Sequence, residues 1–145
     1  MIGLLQRVTR AHVAIDGRVV ATIGPGLLVL VGVRPEDDEQ TASRLLQRLL
    51  KYRVFADADG KMNLSLTQVA GGLLLVPQFT LAADTRKGSR PGFSTAAAPA
   101  VGRPLFDFLV AEARKQRAAV ECGVFGANMQ VSLVNDGPVT IWLES

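Results

Sequence analysis

The sequence is poor in the side chains that most enzymes use for covalent or metal chemistry. Its 145 residues include one cysteine and one histidine. With Cys122 alone, no disulfide forms within the chain. The single cysteine sits in an apolar stretch and reads as a core residue, and a reducing cytosol is the expected home. His12 falls in a strand-like stretch, where a lone histidine reads as structural. There is no Gly-x-Ser-x-Gly elbow, no His-Glu-x-x-His, no cysteine pair and no glycine loop ending in lysine. A hydrolase built from this chain works without a Ser-His-Asp triad, and no metal site is expected. Asp57-x-Asp59-Gly60 lacks the acidic residue that would complete a calcium loop and reads as a hairpin turn.

Long apolar runs are also missing. The longest covers residues 27–33, is interrupted by Gly32, and is too short to span a membrane. Arg7 and Arg10 fall where a secretion signal needs an apolar stretch, so no targeting segment is expected. What is present is a composition suited to a packed core: 48% hydrophobic and 20% charged residues. A chain of this length buries such a core as one domain, here residues 1–145, and shows no repeat or linker. The net charge of +3 permits a polyanionic partner without requiring one.

Residues 2–8 and 11–15 read as strands, and Asp16-Gly17 as the turn of a hairpin leading to residues 19–23. Gly24-Pro25-Gly26 breaks the chain before a buried strand at 27–33. Ala42, Leu45, Leu46, Leu49 and Leu50 recur at helical spacing and give the first helix its inner face. Arg44, Arg48 and Lys51 form a basic stripe on its outer side. Residues 52–55 and 73–76 read as short strands and 82–97 as a loop. A second helix is expected from about Pro104, since proline suits a first turn, with Leu105, Phe108, Leu109 and Ala113 inward. Residues 120–125, 129–134 and 139–143 read as closing strands. Many strands with two main helices that do not alternate with them predict an α+β fold with a largely antiparallel, barrel-like sheet.

Two segments stand out. Pro77-Gln78-Phe79-Thr80-Leu81 leaves a strand and enters a polar loop containing Arg86, Lys87, Gly88, Arg90 and Pro91, a common place for functional groups. Near the other end, Phe125-Gly126-Ala127-Asn128-Met129 precedes Asn135-Asp136-Gly137-Pro138-Val139-Thr140. Taken alone, residues 135–138 read as a hairpin turn.

Together with Leu5-Gln6-Arg7-Val8, these segments resemble the D-aminoacyl-tRNA deacylase family of the D-Tyr-tRNA deacylase type, over the full chain and in the same order. The resemblance implies hydrolysis of the ester of D-aminoacyl-tRNA, and of mischarged glycyl-tRNA, with no cofactor. It implies a cytosolic homodimer with no membrane or DNA partner, and active sites at the subunit interface. One subunit supplies Gln78, Phe79 and Thr80. The other inserts Gly137 and a cis Pro138, with Met129 nearby and Arg7 holding the inserted loop. Arg44, Arg48, Lys51, Arg86, Lys87 and Arg90 are candidate contacts to tRNA phosphates, against the plain alternative of a solvated basic face. The family's first motif begins with serine where this chain has Pro77. Proline has no backbone N–H, so a hydrogen bond from that amide or hydroxyl is lost, which bears on substrate range. The competing readings are an editing deacylase of looser chirality acting on mischarged L-aminoacyl-tRNA, and a non-catalytic RNA-binding module.

Overall fold

A computed structural model describes residues 1–145. Its spine is β1 (Ile2–Ile15), a 14-residue strand with a different partner along each edge. One edge pairs along its whole length with antiparallel β8 (Gln130–Glu144). The other edge is shared: the first half of β1 pairs with β3 (Gly26–Gly32), the second half with β2 (Arg18–Ile23), both antiparallel. Beyond β3 the sheet turns parallel, through β6 (Gly72–Pro77) to β7 (Val120–Cys122). The expected α+β class with a largely antiparallel, barrel-like sheet is therefore found, with a parallel margin at β3, β6 and β7.

Alternation along the strands sorts side chains onto two faces. Leu27, Val29, Leu73 and Leu75 point toward α1 (Glu39–Lys51) and α3 (Pro99–Gln116), where Leu45, Leu49, Phe106 and Leu109 complete the main core. Leu28, Leu74 and Val76 face the other way, into a smaller cluster with Val8, Val13 and Ile23. Leu30, Met129, Val131 and Leu133, themselves partly buried, pack against that second cluster. Between the main helices, β4 (Arg53–Ala56) and β5 (Met62–Ser65) form a separate ribbon, followed by the single-turn α2 (Leu66–Val69).

The close parallel pairing of β3 with β6 depends on Gly26. A Cβ there would lie 2.0 Å from the carbonyl oxygen of Gly72, so only glycine lets the two backbones approach at this point.

Three expectations are corrected. The long helix begins at Pro99, not Pro104; Pro99 occupies the first turn and Pro104 lies inside the helix on its exposed side. Helix α2 is additional, set by Ser65, whose hydroxyl accepts from the Gln68 amide while Gln68 Oε1 accepts from the Ser65 amide. Residues 135–138 are not a hairpin turn: they lie within β8, which continues past them alongside β1.

Candidate functional site

β6 delivers the first motif. Its parallel pairing with β3 ends at Pro77, and the Gln78 amide still donates to the Val31 carbonyl at 2.7 Å. The chain then tightens into a 3-10 turn, Phe79–Ala82. The first amides of such a turn have no acceptor behind them. Those of Phe79 and Thr80 make no hydrogen bond within the chain. The Phe79 and Phe93 rings meet outside this turn, with centroids 5.0 Å apart, and both are exposed.

Gln78 and Phe79 form one side of a cleft of about 650 Å³. Phe93, Phe125, Met129 and Val131 are among its apolar lining. Thr80 faces an adjoining hollow with Arg34, Asp84, Arg86 and Trp142. Its hydroxyl oxygen accepts a short hydrogen bond from Gln78 Nε2, which ties the two sides of the turn together. No carboxylate or imidazole hydrogen-bonds the Thr80 hydroxyl, and the Asp84 carboxylate of that hollow is taken up by Arg86.

The second motif is built at another place. Between the Gln6–Thr140 and Val8–Asn135 pairs, two steps along β1 are matched by five along β8, so three residues are extruded as a bulge. Asn135 closes its base: the side-chain oxygen accepts from the Val139 amide at 3.1 Å, and the side-chain nitrogen donates to Thr140 Oγ1 at 2.8 Å. Gly137 has φ +124°, a region that favours glycine, and the Gly137-Pro138 peptide bond is cis. A Cβ on Gly137 would also stand 2.8 Å from Val139 Cγ2 and 3.1 Å from an Arg7 nitrogen.

Arg7 joins this bulge to the rest of the molecule. Its Nε donates to the Asp136 carbonyl at 3.2 Å and lies 3.1 Å from the Asp136 carboxylate. Its Nη1 donates to the carbonyl of Val54 in β4. The bulge is thus clamped to the β4–β5 ribbon through one mostly covered guanidinium.

The two motifs do not meet within one chain. Arg7 pairs with Leu27 at one end of β3, whereas Gln78 bonds Val31 at the other. Four residues of strand separate these points, about 13 Å at roughly 3.3 Å per residue.

The six basic candidates divide. On α1, Arg44 donates to Thr41 Oγ1 and Arg48 to the carbonyl of Glu144, so both are engaged in holding their own surroundings, while Lys51 is exposed. Arg86 is paired with Asp84, and that guanidinium holds the carboxyl far below its usual range. Lys87 and Arg90 are exposed, in the loop after that turn, and their side chains enter no hydrogen bond or ion pair. Sequence reasoning missed Arg103 on α3. Its guanidinium lies 5.2 Å from the Phe125 ring centroid and donates to the Phe125 carbonyl at 3.1 Å. Only its position one turn into α3, opposite Phe125, reveals this contact, and no motif marks it.

The family of D-Tyr-tRNA(Tyr) deacylases matches residues 4–144. A D-aminoacyl-tRNA deacylase of Pseudomonas savastanoi pv. phaseolicola is 61% identical over 145 residues, covering 100% of both chains. A solved structure described as a c-Myc DNA unwinding element binding protein superposes with a TM-score of 0.96 at 37% identity, over 100% of this chain and 99% of that one. A second, described as a probable eukaryotic D-amino acid tRNA deacylase, shares the fold with a TM-score of 0.86 at 18% identity, over 99% and 98% of the two chains. On this full-length match, the chain belongs to the D-Tyr-tRNA(Tyr) deacylase family.

Proposed function

We propose that this protein hydrolyses the ester of D-aminoacyl-tRNA, and of glycyl-tRNA, while rejecting L-aminoacyl-tRNA. It does so as a single-domain homodimer in the cytoplasm, as a step of translation quality control. The observation that carries this reading is the pair of unbonded amides, Phe79 and Thr80, in the turn that separates the apolar cleft from the polar hollow beside it. Ester hydrolysis passes through a tetrahedral intermediate whose oxyanion needs such donors, fixed before the reaction begins. The two N–H groups are presented by a turn whose geometry already leaves them without acceptors.

Thr80 is a positioning group in this mechanism. Its hydroxyl is bonded by Gln78, and no base is hydrogen-bonded to it to make it a nucleophile. The ribose 2′-hydroxyl next to the ester supplies what the chain lacks, orienting the attacking water. Thr80→Ala is expected to keep much of its activity, and a 2′-deoxy terminal ribose to lose it.

Chirality is handled by main chain. In this reading the Gly137-Pro138 bulge of one subunit reaches the Gln78-Phe79-Thr80 turn of the other; the separation of the two at opposite ends of β3 within one chain supports it. Carbonyls of the bulge accept from the substrate's α-amino group. An L-residue held in that way drives its side chain into the bulge, a D-residue points it away, and glycine has none to exclude. The exposed Lys87 and Arg90 take phosphates of the incoming acceptor strand, which predicts affinity that falls with salt.

The test is deacylation of matched D-, L- and glycyl-tRNA by the purified protein. Release from the D- and glycyl-esters, with the L-ester spared, is expected. Equal hydrolysis of the L-ester would favour an editing enzyme of looser chirality. Tight tRNA binding without release from any ester would mark a non-catalytic RNA-binding module.

A further inference from the structure

Pro77 stands at a point in the sheet where the chain has use for an amide. In a parallel ladder, alternate residues of a strand bond on the same side, each donating to one residue of the neighbour and accepting from another. On the β7 side of β6, that series begins at Leu73, whose amide donates to the Ala119 carbonyl at 2.9 Å. It continues at Leu75, whose carbonyl accepts from the Gly123 amide at 2.8 Å. The next member is residue 77, in line to donate to the Gly123 carbonyl. Proline has no N–H to give. The Gly123 carbonyl accepts no hydrogen bond within the chain, although Gly123 is buried, and the Phe125 amide makes no return bond to Pro77. The Pro77 ring fills the space instead, its Cδ 3.3 Å from the position of a Cβ on Gly123.

The segment released in this way is one wall of the cleft. Residues 125–129 all line it. Beyond Gly123, few hydrogen bonds hold them: a turn bond from the Ala127 amide to Val124 at 3.2 Å, a Val124 amide on Met129 Sδ, and exposed Arg103 on the Phe125 carbonyl. The rest is side-chain packing, Phe125 against Phe106 at 6.4 Å between ring centroids and Met129 against the second core cluster.

We propose that Pro77 is a specificity-determining residue. By ending the β6–β7 ladder one rung short, it lets the wall from Gly123 to Met129 yield to the ligand, and so widens the range of aminoacyl ends the cleft accepts. The inference rests on the deacylase reading for its ligand, but not for the mobility of the wall. The proposed oxyanion donors at Phe79 and Thr80 belong to the turn after β6 and not to this wall, so the effect falls on KM more than on kcat.

Pro77→Ala and Pro77→Ser both return an amide to position 77, and only the second adds a hydroxyl. Hydrogen exchange at Phe125, Ala127 and Met129 is compared in the wild type and both variants. KM and kcat are then measured for tRNA carrying D-alanine, D-tyrosine and D-tryptophan. Both variants are expected to slow exchange in the wall. Both should raise KM for the bulky esters relative to D-alanyl-tRNA by roughly five-fold, the worth of one net hydrogen bond. Unchanged exchange would show that the wall is not released by Pro77. Slower exchange with an unchanged KM ratio would sever the wall from specificity. An effect confined to Pro77→Ser would assign it to the hydroxyl and overturn the ladder argument. A wild type that hydrolyses none of the esters defeats the deacylase reading and the specificity claim together, while the exchange data still decide whether Pro77 frees the wall.

Discussion

Arg7 shows how much one side chain can settle at the residue scale. Its guanidinium bonds the Val54 carbonyl in one direction and Asp136 in the other, so it fixes where the Gly137-Pro138 bulge stands. Lysine is a point charge on a flexible stem and cannot span both partners with fixed geometry. Arg7→Lys is therefore expected to leave the fold intact, with a loss of about 1 kcal/mol measured by urea denaturation. The ratio of D- to L-ester hydrolysis should fall much more than the stability does. An unchanged ratio would separate Arg7 from the filter. Gly26 is a stricter case. Gly26→Ala sets a methyl group against the Gly72 backbone, where no side chain can turn aside, and should cost about 3 kcal/mol or more by the same measurement. The motif in which Arg7 sits was visible in the sequence. The role of Gly26 was not, because its constraint comes from a strand 46 residues further along the chain.

At the scale of elements, apolar periodicity gave α1 and the buried strands, whose spacing reflects one core. Local turn chemistry misled at two places. Asn135-Asp136-Gly137-Pro138 has the composition of a hairpin turn, yet β1 runs on beside it and keeps β8 extended on both sides. Pro104 resembles a helix start, but Pro99 is the residue at the first turn, and the later proline is tolerated on the solvent side of α3. In both cases a long-range partner overrode a local preference. Caps were more legible after the fact than before it. Ser65 starts α2 and is buried, so Ser65→Ala should cost about 1 kcal/mol in thermal or urea unfolding. Acid should loosen several elements at once. Hydrogen bonds from Thr41 hold the Asp38 carboxyl at the start of α1 below its usual value, the Lys61 and Asp59 amides do so for Asp57 in the β4–β5 turn, and Trp142 and Arg34 do so for Glu144 at the end of β8. A carboxyl depressed in the folded state binds protons more readily when unfolded. Its contribution is complete above the ordinary carboxylate range and is lost as pH falls through the lower, folded value. The melting temperature should hold near neutrality and decline below about pH 4. A flat profile to pH 2.5 would show that these contacts contribute nothing measurable.

For the molecule as a whole, the decisive fact is that Phe79 and Gly137 belong to opposite ends of one sheet. The long strand β8 adds to this: it pairs with β1 along one edge only, and carries exposed Val134 and Trp142. In the proposed homodimer a second copy covers this margin and brings the bulge of each chain to the cleft of the other, an arrangement that complementation tests. Phe79→Pro suits the first position of the 3-10 turn and removes one of the two proposed oxyanion donors together with the ring. Deleting Asp136, Gly137 and Pro138 leaves a single residue, Val139, opposite Arg7 between the Val8–Asn135 and Gln6–Thr140 pairs, so β8 should close into register without the bulge. Each variant alone is expected to lose D-specific hydrolysis. In a heterodimer with sites shared between chains, one site collects both defects. The other joins the intact turn of the deletion subunit to the intact bulge of the Phe79→Pro subunit, and about half the wild-type activity returns. If turn and bulge had to act within the same chain, every site would carry a defect and the mixed dimer would stay inactive. Tagged co-expression followed by tandem purification isolates that heterodimer, and its initial rate on D-tyrosyl-tRNA distinguishes the two arrangements.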